Sequence, residues 1–144
     1  MDSLEPSARW EHFPHEADMG IRGIGITKSQ AFEQAALAMT AVITDPQRVA
    51  LQMEKYFRCE APDDELLLVD WLNALIYEMA CGHMLFGQFH VKIKDYQLEA
   101  VARGEPVDRM KHEPAVEIKG ATYTELSVRQ IEDSSWIAQC VVDV

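Results

Sequence analysis

Leu68, Trp71, Leu72, Leu75, Ile76 and Met79 recur at intervals of three and four residues, the spacing that gathers apolar side chains onto one stripe of an α-helix. Ahead of the stripe, Pro62-Asp63-Asp64-Glu65 places carboxylates where the helix dipole is positive, and Gly82 supplies a stop. Beyond Gly82 the period changes from helical to two. Phe89, Val91 and Ile93 alternate, Lys94-Asp95-Tyr96-Gln97 turns, and residues 98–103 return as the second arm of a hairpin. After an irregular polar segment over 104–114, strands are expected over 115–123, 125–131 and 136–144, the last two joined across 132–135. One strong helix followed by a meander of half-apolar strands limits the chain to a layered α+β arrangement.

The first half adds a second helix. Thr27, with Gln30 three residues on, forms a capping box, and Phe32, Ala35, Ala36, Met39, Val42 and Ile43 follow at helical spacing until Asp45-Pro46. Before it, residues 10–13 suit a short strand broken by Pro14, and residues 19–26 (MGIRGIGI) are β-like with three glycines, the mark of a bulge or a close backbone approach. Their order is GxxGxG and the strand continues past it, so a dinucleotide fingerprint is rejected. Val49, Leu51, Met53, Phe57 and Cys59 alternate as a half-buried strand. The expected fold is a single α+β domain, an antiparallel or mixed sheet with both helices on one face. Residues 1–9, acidic and polar with no apolar signal segment, are expected to form a disordered tail, leaving residues 10–144 as the domain.

Composition narrows the function. With 144 residues the chain has the length of one ordinary domain, and no apolar run approaches the ~20 residues that span a bilayer. A net charge of −11 opposes direct grip on a phosphate backbone, which relies on Lys and Arg displacing counterions, so any RNA is expected to be held by a partner. Cys59, Cys81 and Cys140 are odd in number, far apart and set in apolar patterns, which suits free thiols in a reducing cytoplasm. No CxxC, GxSxG or HExxH occurs, so zinc-knuckle, nucleophile-elbow and zincin chemistry are not indicated.

Two places carry candidate chemistry. His15-Glu16-Ala17-Asp18-Met19-Gly20 sets an imidazole and carboxylates in a turn at a strand mouth, and a last strand running to Asp143-Val144 offers a side-chain carboxylate, a terminal carboxylate and main-chain carbonyls. Oxygen ligands of this kind suit a hard cation if the two ends meet. The alternative is plain turn chemistry at Asp18 and a solvated strand end at Asp143. The second place is Lys111-His112-Glu113 with Glu117 and Lys119, either a solvated loop or a surface that contacts a partner or a phosphate. A lone His in such a loop is expected at the surface, and His83 and His90 are assigned no role.

Taken together, His15-x-Ala17-Asp18-x-Gly20, Gly104-Glu105-x-x-Asp108-x-x-Lys111-His112, Glu117-x-Lys119-x-x-Thr122-Tyr123 and Val142-Asp143-Val144 resemble the archease family in order and spacing. Residues 31–39 (AFEQAALAM) and 69–77 (VDWLNALIY) are similar to its two helical stretches, so the resemblance covers nearly all of the chain beyond residue 9. The chain departs from the family pattern at Thr124, where many members carry His, and at Gly23-Ile24-Gly25, which is richer in glycine than the usual Ala-x-Gly. The resemblance implies a non-enzymatic protein cofactor of RtcB-type RNA ligases, used in tRNA splicing and RNA repair, that speeds formation of the ligase–GMP intermediate and sustains turnover. It implies a divalent ion, calcium before magnesium or manganese, on Asp18 and Asp143 with Val144 contributing an oxygen. Lys111 and Glu117 fall in the segment associated with ligase activation, and His15 either orients the Asp18 carboxylate or is only part of the turn. RNA is then met only through the ligase, in the cytoplasm and away from membranes. The competing classes are a chaperone-like module for RNA-processing enzymes and a stand-alone metal-dependent phosphoesterase.

Overall fold

In the computed structural model, residues 8–144 are described. The chain order is β1 (Arg9–His15), β2 (Asp18–Gly25), α1 (Lys28–Ile43), a 3-10 turn (Pro46–Arg48), β3 (Met53–Glu60), α2 (Asp64–Gly82), β4 (Met84–Lys94), β5 (Gln97–Pro106), a one-turn helix α3 (Arg109–His112), β6 (Gly120–Ala121), β7 (Ser127–Gln130) and β8 (Trp136–Asp143). The expected α+β domain is present, but its strands divide into two antiparallel sheets. In the first, β8 lies in the middle: β2 pairs along one edge with β1 beyond it, while β6 and β7 share the other edge. In the second, β5 lies between β3 and β4.

Both helices begin where the sequence signals them. The Thr27 hydroxyl accepts the Gln30 N–H at 3.1 Å and the Gln30 amide oxygen takes the Ile26 N–H at 3.0 Å, while the Asp63 carboxylate accepts the Leu66 N–H at 2.8 Å. α1 packs against β2 and β8 of one sheet and β4 of the other, so it ties the two sheets together. It approaches β2 so closely that a Cβ on Gly23 would collide with the backbone of Ala31 and Ala35, which accounts for one glycine of the MGIRGIGI run. The α2 stripe fills the core: Leu68, Trp71, Leu72 and Leu75 are fully buried. Trp71 meets Phe57 edge-on at 5.6 Å and Phe89 at 6.0 Å, and its indole N–H donates to the Phe32 carbonyl. Truncating it to Ala would cost about 3–5 kcal/mol.

Several boundaries differ from expectation for local reasons. Pro14 does not break β1, because β1 is an edge strand where a missing N–H is tolerated. The strand expected from Val49 starts only at Met53, since Asp45-Pro46 winds a 3-10 turn first and leaves Leu51 and Met53 exposed. Gly82 is the last residue of α2, and the left-handed cap falls on His83, with φ 53°. Of the strand expected over 115–123, only Gly120–Ala121 joins a ladder, and 125–131 contracts to Ser127–Gln130. The hairpin turn is as expected, with Asp95 and Tyr96 both at positive φ, the geometry that matches strand twist. Cys140 is buried, Cys59 is half-buried, and Cys81, expected in an apolar setting, is exposed on the last turn of α2; all three are free thiols. Of the expected tail, residues 1–7 lie outside the described residues, while Arg9 pairs with Ile24.

Candidate functional site

The two ends of the first sheet meet. The β1–β2 turn is closed by the His15–Asp18 pair, with Glu16 at φ 54°. From there β2 runs antiparallel to β8, pairing Met19 with Val142. One step further along both strands stand Asp18 and Asp143, and the Val144 N–H donates to Asp18 Oδ1 at 3.3 Å. Asp143 is exposed and Asp18 half-buried. The Asp143 carbonyl accepts the Lys119 N–H at 2.7 Å, which fixes the strand end from its other side. His15 faces Glu16, with Nδ1 3.7 Å from its carboxylate, and among the described residues no side-chain hydrogen bond joins it to Asp18.

Among the described residues, no group of three or more His, Cys, Asp and Glu side chains could hold a metal ion by itself. A cation here would take the Asp18 and Asp143 carboxylates together with a Val144 oxygen. Such an all-oxygen set fits a hard divalent ion. Asp18 accepts one long hydrogen bond from the backbone, so lone pairs remain for such a ligand.

The second place is built differently. Near the end of β5, Glu105 is buried, and its Oε2 accepts three donors: Lys111 Nζ at 2.6 Å, His112 Nε2 at 2.8 Å and the Ala50 N–H at 2.8 Å. Lys111 above all, then Ala50 and His112, hold the Glu105 carboxyl down to about 2. His112 was expected at the surface but is 1% exposed. The Asp108 N–H donates to its Nδ1 at 2.9 Å, and a backbone N–H can only donate, so Nδ1 carries no proton and Nε2–H is the donor to Glu105. Both ring nitrogens are occupied inside the protein. His112 therefore locks α3 in place, assisted by the Thr44 hydroxyl, which donates to its carbonyl.

A segment without regular structure joins the two places. The Ala115 N–H donates to the Ile43 carbonyl at the end of α1, and Lys119 is bonded to Asp143. Glu117 lies exposed midway between these anchors. It lines a groove of about 750 Å³ whose apolar floor includes Ile76, Met84, Leu85 and Ile118, with Arg109 also on its wall. Lys111 pairs with Glu105, not with Glu117. Glu105 and Asn73 are the residues that sequence reasoning passed over. Glu105 stood in a quoted motif, six and seven positions ahead of a Lys and a His, and the Asn73 amide oxygen takes the Ala121 N–H at 2.9 Å, pinning β6 to α2.

The family model described as "Archease protein family (MTH1598/TM1083)" matches residues 10–144. The chain belongs to the archease family. It is 39% identical over 140 residues to protein archease of Pyrococcus furiosus, covering 94% of this chain and 99% of the relative. The archease of Methanosarcina mazei is 36% identical over 141 residues, with 94% and 96% covered. The solution structure of protein 1598 of Methanobacterium thermoautotrophicum superposes with a TM-score of 0.80 at 33% identity, covering 94% of this chain and 98% of that one. Archease membership supports a protein-cofactor role in general. No helix among the described residues is long and apolar enough to cross a membrane.

Proposed function

We propose that this archease is a non-enzymatic activator of an RtcB-type RNA ligase, acting in the cytoplasm in tRNA splicing or RNA repair. It holds a divalent ion, calcium before magnesium or manganese, on Asp18, Asp143 and a Val144 oxygen. The observation that carries the reading is the convergence of Asp18 with Asp143-Val144 through β2–β8 pairing and the 3.3 Å bond from the Val144 N–H. When bound, the ion would supply electrostatic stabilisation to phosphoryl oxygens in the ligase cleft. The protein's own part is to present these carboxylates on strand ends that the sheet keeps rigid. Lys111, on α3 beside Glu105, and Glu117, on the segment that joins the two places, contact the ligase or its nucleotide. The net charge of −11 favours docking on a basic ligase cleft and leaves RNA to the ligase.

A ligation assay with purified ligase, at limiting and at saturating archease, tests this. Multiple turnover and faster ligase guanylylation should appear only with the archease present and should vanish with Asp18→Ala or Asp143→Ala at unchanged thermal stability. Normal guanylylation supported by Asp18→Ala would overturn the metal reading. Hydrolysis of RNA or nucleotide by the archease alone, with added metal, would overturn the cofactor reading.

A further inference from the structure

We infer that Glu105 is the positioning residue for Lys111: its carboxylate holds the lysine ammonium ready for transfer to a phosphoryl oxygen in the partner's cleft. The inference rests on Lys111 acting on the ligase, as proposed above.

The three donors on Glu105 Oε2 are not equivalent. Ala50 is main chain just beyond the 3-10 turn, and that turn is itself pinned by Asp45, which accepts the Gln47 N–H at 3.0 Å. His112 is enclosed, with its tautomer set by Asp108. Neither donor can leave without undoing local structure. Lys111 differs on both counts: its side chain is 42% exposed, against 8% for Glu105, and its stem is flexible.

An sp² carboxylate oxygen offers two lone pairs. Ala50 and His112 already satisfy that number, so the lysine is the surplus third donor. Its departure leaves the buried carboxylate with two hydrogen bonds. The carboxylate then loses its one counter-charge but keeps both of those bonds. That is a smaller cost than in a buried ion pair with no other donor, where it would be left wholly unsatisfied. The arrangement thus holds the ammonium in one orientation while keeping it transferable, and a compact lysine point charge suits a phosphoryl acceptor.

The test is a cycle of four proteins: the wild-type chain, Lys111→Met, Glu105→Gln and the double variant. Each is measured at saturation with ligase for rate, and separately for complex Kd and for Tm. One arm follows guanylylation from GTP without RNA, and another follows joining by preguanylylated ligase, so nucleotide and RNA phosphates are distinguished. Gln keeps an oxygen for the two fixed donors, so the fold should persist. Glu105→Gln should lower the saturating rate in one arm by about tenfold, the equivalent of one charge-assisted hydrogen bond, with Kd unchanged.

The double variant should be no slower than Lys111→Met. A wild-type rate for Glu105→Gln, or a double variant slower than Lys111→Met by the full Glu105→Gln factor, overturns the inference. If Lys111→Met is itself fully active, the inference and the lysine's role fall together, while activation by the wild-type chain and its loss in Asp18→Ala still uphold the cofactor reading. Should Glu105→Gln not fold, Lys111→Arg decides: charge is kept but the head moves, so the rate should fall at constant Kd, and a wild-type rate overturns the inference.

Discussion

The carboxylates at Asp18/Asp143 and at Glu105 sit in opposite circumstances. Glu105 is buried, and one of its oxygens takes three donors from within the chain. Asp18 takes one 3.3 Å bond from a backbone N–H, and Asp143 is exposed. A carboxylate saturated by its own protein organises structure, whereas one left with free lone pairs at a rigid strand end can serve an external cation. The two places differ in chemistry because they differ in what the fold has already supplied.

The two places should differ most in their response to loss of His112. His112→Ala removes a donor from Glu105 and the acceptor of the Asp108 N–H and leaves a cavity, so it should cost about 3 kcal/mol and lower Tm by roughly 10 °C in calorimetry. A loss below ~1 kcal/mol would mean that the cluster is not structural.

Next in size is the cation effect. Calcium at a hundred times its Kd should stabilise the wild-type chain by about 2.7 kcal/mol, raising Tm by roughly 5–10 °C, with no rise in Asp18→Asn. Equal rises in both proteins would remove Asp18 from the cation site. The acid limb separates the two places further. Glu105 titrates at about 2 in the fold against an ordinary 4.5, so the folded state binds fewer protons than the unfolded state between those values. Its stabilisation is therefore complete above pH 4.5 and is lost as pH falls toward 2. A Tm-against-pH series should show a shallower acid decline for Glu105→Gln than for wild type. The smallest effect belongs to Asp18→Asn without cation, expected within about 0.5 kcal/mol of wild type in denaturant titration.

How much of this was legible in the sequence depends on how local the cause is. The caps at Thr27 and Asp63 and the hairpin at Asp95-Tyr96 are set within four residues, and the chain displays them openly. The division into two sheets is set by α1 packing against both, which no short window encodes. Alternation over 115–123 resembles a strand, but only Ile118 of that stretch is buried, and the backbone is anchored at Ile43 and Asp143 instead of in a ladder. His112 looked like a surface residue because its neighbours are charged, yet it is buried and the acceptor of its Nε2–H lies seven positions back. For the strand ends, pattern alone favoured turn chemistry and a solvated end over a metal. Family resemblance paired Asp18 with Asp143, and the strand register brings them side by side.

The pairing of β2 with β8 also has a consequence for how the molecule is made. Asp18 and Val144 are 126 positions apart, so this corner is among the least local features of the chain, and closing a loop of that length is costly and slows folding. During synthesis β1 and β2 emerge first, but β2 lacks its central neighbour until β8 follows it out. The corner that would bind the cation is thus completed only as the first sheet closes. A nascent or C-terminally clipped chain can carry Asp18 and still be unable to assemble that corner, so cation affinity would register completion of the fold.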